Sequence, residues 1–359
     1  MDDREAVEFL KELLSRYSPS RRERGLAAFL AGCLRDLGFE AEVDRVGNVV
    51  MYHGQVPGGG GIMRPDVLFL GHIDTVPGFI PVREEGGRIY GRGAVDAKGP
   101  LAAFVAALCR AREDLGEMGI AVVGAVGEED DSRGTKHILP QFRPRAVIVG
   151  EPSGWDGIVL GYKGNLSVRY MVSRPLRHPA APGPTAAEEA LRLWRGLRLH
   201  VRRLNRGRRG FFETVDLGLR SVNTWSDGFV ERAEIRLDFR LPLWLPLERL
   251  KHVVEGMARD GELSFAGGEP AYLAPKNTAL VRSFLRAIRG CGGRPRFVVK
   301  TGTADMNLVG PEWGCPAVAY GPGDSRLDHT PAEHIGVEEF LRGVRVLAEV
   351  LRGLGKGSP

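Results

Sequence analysis

Several apolar runs in this chain stop at side chains that bind cations or move protons. Val67-Leu68-Phe69-Leu70 halts at a glycine and is followed by His72 and Asp74. "IAVVGAVG" precedes Glu128 and Glu129, "AVIVG" precedes Glu151, and "AVAYGPG" leads within a few residues to Asp328 and His329. Asp96 stands just ahead of Lys98-Gly99-Pro100, where a helical run opens. Strand side chains alternate with period two, so His72 and Asp74 share a direction while the chain stays extended. Carboxylates crowded together repel and take up protons, and a divalent cation removes that conflict. Imidazole and carboxylate donors without thiolates suit zinc or cobalt in an open site, not a closed structural zinc cage. Five candidate ligands exceed the needs of one tetrahedral ion, so two cations sharing a bridging carboxylate is the economical arrangement. Taken singly, a His-x-Asp is ordinarily a surface pair or a satisfied core histidine, and a Glu-Glu doublet a solvated face. Their recurrence at successive strand ends is what carries the reading.

The elements that must position these residues follow an α/β pattern. Helices are expected near residues 3–17 and 22–37. The strand-like segments "FEAEVD", "NVVMYHG", "DVLFLGHID", "GIAVVGAVGEE" and "RAVIVGEPS" follow, with a helix in "DAKGPLAAFVAALCRAREDL" between them. Alternation of this kind predicts a mixed sheet covered by helices, and ligands then gather beyond the carboxyl ends of the strands. "VPGGGGIMRP", residues 56–65, reads as a flexible loop. Near residue 163 the pattern changes to strand, helix (about 185 to 205), strands and a further helix, "LERLKHVVEGMAR", which suits a small α+β insert. A helix near 277–289, the strand "CPAVAYGPG" and a helix near 337–353 then resume the first pattern. The expected organisation is a discontinuous catalytic domain of residues 1–163 and 268–359, interrupted by a smaller lid or dimerisation domain at 164–267.

Composition narrows the class. The chain has 359 residues, a formal net charge of +5 and an ordinary apolar fraction of 43%, so a folded protein is expected. The N-terminus has the charge and spacing of an amphipathic helix, not of a signal peptide, and no apolar run is long enough to span a bilayer. Cys33, Cys109, Cys291 and Cys315 lack CxxC spacing and read as mostly buried thiols in a reducing cytoplasm.

"GHIDTVPG", "IYGRGAVDAKGP", "GEEDDSRGTKHI", "GEPS" and "GPGDSRLDHTPAEHI" resemble, in order, the signature blocks of the di-zinc aminoacylase and carboxypeptidase superfamily. That superfamily includes acetylornithine deacetylase and succinyl-diaminopimelate desuccinylase. "VKTGTADMN" and the basic insert resemble most the [amino-group carrier protein]-lysine hydrolases of lysine and arginine biosynthesis. The resemblance implies that His72 and Glu151 bind one zinc, that Glu129 and His329 bind the other, and that Asp96 bridges them. It implies Asp74 behind His72, fixing its tautomer. It implies Glu128 as general base and then acid towards the departing amine, with cobalt as an alternative to the two zinc ions. The family usually has a larger residue, often within a cis peptide, where this chain has Ala97. His178 matches an insert-domain histidine that stabilises the oxyanion, usually from the partner subunit of a homodimer. Arg240 matches the arginine that clamps a substrate carboxylate, and Thr301, Thr303, Lys300 and Asn223 are further substrate-binding candidates.

Eight arginines fall between Arg192 and Arg209 with no acid among them. Three readings stay open: a solvated helix face, a nucleic-acid surface, which lacks the interleaved aromatics expected of one, and a docking face for an acidic amino-group carrier protein. The resemblance thus implies a hydrolase that releases lysine, or ornithine, from a γ-glutamyl link on such a carrier. The alternative is a small-molecule deacylase acting on acetylornithine or succinyl-diaminopimelate.

Overall fold

Val67–His72 and Ile120–Ala125 are buried at every residue. Strands apolar on both faces are what a parallel sheet covered by helices requires. A computed structural model describes residues 1–355. It divides into two units, one of Met1–Gly161, Ala274–Val299 and the chain from Ala304 onward, the other of Tyr162–Leu273 with Lys300–Thr303.

In the first unit the sheet runs in the order Glu40–Val43, Val49–His53, Ile120–Ala125, Val67–His72, Val147–Val149, Ala317–Ala319 and Gly157–Tyr162. The four strands from Ile120–Ala125 to Ala317–Ala319 pair in parallel, and the flanking strands are antiparallel. His72 lies opposite Ala125, and Leu70 opposite Val149, so the ends of these strands form one edge. Lys98–Ala111 is buried along nearly its whole length and packs with Asp3–Ser15 and Val337–Gly355. The alanines and glycine of its first turns let it lie close to the sheet.

Glycines follow two of these strands because that helix leaves no room for a Cβ. A Cβ on Gly150 would lie 2.9 Å from the Phe104 ring, and one on Gly321 would lie 2.6 Å from Pro100 Cγ and 3.0 Å from the Glu151 carbonyl oxygen. A proline ring and a main-chain carbonyl cannot swing away. Gly321→Ala is therefore expected to destabilise the protein by about 1–3 kcal/mol through overpacking, read as a lower urea midpoint at unchanged slope.

Two details depart from expectation. Residues 56–65 are not a featureless loop, because Gly58–Gly59 pairs with Ile62–Met63 in a short antiparallel ribbon. The four cysteines are half-buried rather than buried. Among the described residues no helix is long and apolar enough to cross a membrane.

The second unit follows a β-α-β-β-α-β order. Its antiparallel sheet runs Asp216–Ser226, Val230–Leu241, Gly164–Pro175, Gly261–Ala266. Leu166, Val168, Tyr170, Ala233, Ile235 and Leu237 form a core with Ala190, Leu193, Leu197 and Val201 of Ala186–Leu204 and with Leu250 and Val254 of Leu247–Met257. Thr185 caps the longer helix with a capping box closed by Glu188.

Candidate metal centre

The strand-end edge of the first unit gathers two donor sets, His72 with Asp96 and Glu151, and Asp96 with Glu129 and His329. Within each set the donor atoms lie within 4.8 Å of one another. Asp96 belongs to both. Its Oδ1 is 3.1 Å from His72 Nε2, and its Oδ2 is 3.1 Å from His329 Nε2. His329 Nε2 is also 2.9 Å from Glu129 Oε1. Each oxygen of one carboxylate thus faces a different imidazole, as a bridge between two cations requires. Imidazole and carboxylate donors, converging from different strand ends with no thiolate, fit a pair of divalent cations.

The two sides differ in exposure. The His72 side chain is 1% exposed and Asp96 13%, whereas His329 is 51% exposed. The centre is closed on the His72 side and open on the His329 side, as a catalytic site needs.

Electrostatics follow from the crowding. Burial disfavours the Asp96 carboxylate, but hydrogen bonds from His329 and His72 win and hold its pKa well below the usual range. Contacts with Asp96 and then Glu129 raise His329 to about 10 against a burial penalty. Burial raises Glu128 well above the ordinary glutamate value, and Glu151, Asp305 and Glu129 add to this while His72 opposes it.

Asp74 does more than stand behind His72. His72 Nδ1 is 3.0 Å from the Asp74 carbonyl oxygen, which only accepts, so Nδ1 carries a proton, while Nε2 faces Asp96. The Asp74 carboxylate accepts from the backbone N–H groups of Glu128 and Glu129, both at 3.1 Å, and from Ser20 Oγ at 2.7 Å. One buried residue thereby sets His72 and the loop that presents the glutamate pair. The Asp96–Ala97 peptide is cis despite the small Ala97.

Four supporting residues carry no mark of their role in the sequence. Ser20 reaches Asp74, and its neighbour Arg21 pairs with Asp130 and Asp131 on the Glu128 loop. Asp305 is buried, accepts from Thr135 Oγ1 and is raised by burial to about 6. Glu333 is 1% exposed and holds the backbone ahead of Asp96. A "TPAE" run after His329 and a "TGTAD" run were visible signals, but neither says what its acid touches.

The second unit sorts its candidates into two groups. Arg240 Nη1 donates to Thr303 Oγ1 at 2.9 Å, and Thr303 Oγ1 donates to the Lys163 carbonyl at 3.2 Å. The Lys300 carbonyl accepts from Lys163 N–H, so Arg240, Lys300, Thr301 and Thr303 share one end of the sheet. Asn223 pairs in register with Glu234, six residues from Arg240 and so roughly 20 Å along the strand. His178 follows Pro175, which pairs with Val230 at the far end. It is exposed, its Nδ1 accepting from Ala180 N–H at 3.2 Å. Within this unit Arg240 and His178 are not brought together. Of the arginine run, Arg192 pairs with Glu189 and Arg208 stacks over Trp244. Arg195, Arg198, Arg202, Arg203, Arg206 and Arg209 are exposed without a carboxylate partner among the described residues.

Known proteins resemble this chain over most of its length. Residues 68–353 match the model of Peptidase family M20/M25/M40. The chain is 40% identical over 366 residues to the [LysW]-lysine hydrolase of Deinococcus radiodurans, covering 99% of both proteins. It is 29% identical to the [LysW]-lysine/[LysW]-ornithine hydrolase of Saccharolobus islandicus, covering 95% of this chain and 93% of that one. Its fold superposes on an M20 family metallo-carboxypeptidase of Sulfolobus solfataricus with a TM-score of 0.81 at 21% identity, covering 99% and 100% of the two chains. The mixed α/β sheet and the superfamily resemblance expected from the sequence blocks are both borne out. With paired donor sets on the strand-end edge and a family match over most of its length, the chain belongs to Peptidase family M20/M25/M40, a family of metal-dependent hydrolases.

Proposed function

We propose that this protein is a di-zinc amide hydrolase that releases lysine, or ornithine, from the γ-glutamyl link of an acidic amino-group carrier protein. The observation that carries the metal chemistry is Asp96, whose two oxygens each lie 3.1 Å from the imidazole of a different donor set. The near full-length similarity to the Deinococcus radiodurans [LysW]-lysine hydrolase supports the substrate.

In this reading His72 and Glu151 would hold one zinc, Glu129 and His329 would hold the other, and Asp96 would be shared between them; cobalt would serve the same donors. Two divalent ions held there would supply a water of lowered pKa and a polarised amide carbonyl. Glu128 takes the proton of the attacking water and returns it to the nitrogen of the departing amine. Asp74 keeps the proton of His72 on Nδ1, so that Nε2 stays available as a ligand. Arg240, oriented by Thr303, clamps the carboxylate of the released amino acid, with Lys300 and Thr301 beside it. His178 and Asn223 lie towards the other end of that sheet, which supports their serving the centre of a second copy in a homodimer. A cytoplasmic location suits half-buried free thiols.

The unpaired arginines of residues 195–209 supply the docking face for the carrier. Arg198→Ala, Arg202→Ala and Arg206→Ala together are expected to raise KM for the carrier-bound substrate roughly tenfold and to flatten its salt dependence, with kcat unchanged. A free N-acyl amino acid substrate should not sense them.

The deciding experiment incubates the zinc-loaded protein with carrier-bound lysine and with N-acetylornithine, and follows free amino acid by mass spectrometry. Release of lysine from the carrier is expected. Efficient cleavage of N-acetylornithine with the carrier untouched would assign the protein as a small-molecule deacylase instead.

A further inference from the structure

We infer that Glu333 is a positioning residue for the bridging carboxylate, fixing Asp96 from behind so that both cations find their shared ligand in place. The inference rests on the reading of Asp96 as the bridge and extends it to a residue that touches neither donor set's ligating atoms.

Glu333 is 1% exposed, and a buried carboxylate must be fully partnered. Arg92 Nη1 donates to its Oε2 at 2.8 Å. That single ion pair would satisfy a structural role. Its Oε1 does something more particular, accepting from three backbone N–H groups, those of Gly93 at 3.0 Å, Val95 at 3.0 Å and Asp96 at 3.2 Å. Successive N–H groups aimed at one oxygen form an anion nest. Gly93 makes it concave with φ of +91°, a conformation that L side chains rarely adopt. The last donor is the N–H of Asp96 itself, so the clamp acts on the residue whose two oxygens must each face a different donor set.

The backbone around Glu333 is set independently. His334–Gly336 pairs antiparallel with Arg88–Tyr90, with His334 opposite Tyr90. Four residues before Glu333, His329 adopts a left-handed φ of +61°, uncommon for a non-glycine residue. The segment 329–336 therefore delivers one candidate ligand, crosses to the Arg88–Tyr90 strand and grips the loop that carries the bridge. Loss of the clamp lets Asp96 wander, and both donor sets lose their common member together.

The test titrates Zn²⁺ into chelator-treated full-length protein by calorimetry and records the visible spectrum of the Co²⁺-loaded form. Glu333→Ala is expected to lower zinc affinity about 10- to 100-fold and to change the Co²⁺ band positions. Glu333→Gln keeps an acceptor at the same reach and is expected to recover most of the affinity. If Glu333→Ala does not fold, Glu333→Asp, which retains the charge but draws the oxygens back from the nest, takes its place and should show the same loss. Wild-type affinity and an unchanged Co²⁺ spectrum in the Ala or Asp variant would overturn the inference while leaving the metal pair standing. Equal losses in Gln, Asp and Ala would also overturn it, pointing to the Arg92 pair instead. Failure of the wild-type protein to bind two ions would overturn the bridging reading itself.

Discussion

Glu128→Gln is expected to lower kcat by about 10²–10⁴-fold with the metal content of the protein unchanged. Glu128 belongs to neither donor set, so its amide should leave His72, Asp96, Glu129, Glu151 and His329 in place. What the amide cannot do is accept the water proton and pass it to the amine. Glu128→Asp keeps a carboxylate but draws it back, and should fall between the two. The pH dependence has a definite sign. Burial, aided by Glu151, Asp305 and Glu129 against His72, raises the Glu128 pKa. A base must be deprotonated to act, so kcat/KM is full above that pKa and falls as pH drops through it. Bound cations pull the value down, so the acid limb lies between the metal-free position and the ordinary glutamate range. Plotting kcat/KM against pH for wild type and for Glu128→Gln checks this, since the residual activity of the variant should lack that limb. A kcat within tenfold of wild type at full metal occupancy would remove Glu128 from the base role.

Much of this was legible because the chemistry sits where elements end. His72, Glu128, Glu129 and Glu151 each follow an apolar run within a few residues, and a parallel sheet brings such ends to one edge whatever the loops do. Asp96 was legible by its place before a helix opening at Lys98-Gly99-Pro100. Other features depend on partners remote in sequence. Ser20 meets Asp74 across 54 residues, Thr135 meets Asp305 across 170, and Gly93 meets Glu333 across 240. A lone serine or glutamate in a polar loop carries no periodicity to mark it, and its role exists only once the loops are packed. The same holds for the split between Arg240 and His178. Residue types suggested both as substrate contacts, but only strand register shows Asn165 opposite Arg240 and Pro175 opposite Val230, at opposite ends of one hairpin pair. Spacing set Asp74 beside His72, but its carboxylate chiefly holds the N–H groups of Glu128 and Glu129, a pairing that spacing alone could not reveal.

Asp96→Asn should produce the largest loss. The amide keeps one oxygen but turns the other position into an NH₂ donor, so one of the two imidazoles faces a group that cannot share a cation. Two equivalents of divalent ion per chain are expected for wild type by elemental analysis, and no more than one weakly held equivalent for the variant. Metal assistance contributes several kcal/mol to such reactions, so activity should fall about 10³-fold or more, matching chelated wild type. Zinc or cobalt should restore wild type and not Asp96→Asn. Proton release provides a second readout. Asp96 and then Glu129 hold the His329 proton up to about 10, so at neutral pH that imidazole is charged and must lose a proton to become a ligand. Metal affinity therefore weakens as pH falls, and titration in two buffers of different ionisation enthalpy should reveal net proton release. Removing the Asp96 charge lowers the His329 pKa towards its ordinary value, so whatever ion Asp96→Asn still binds should displace fewer protons. Two tightly bound ions and undiminished proton release in that variant would show that Asp96 is not the shared ligand.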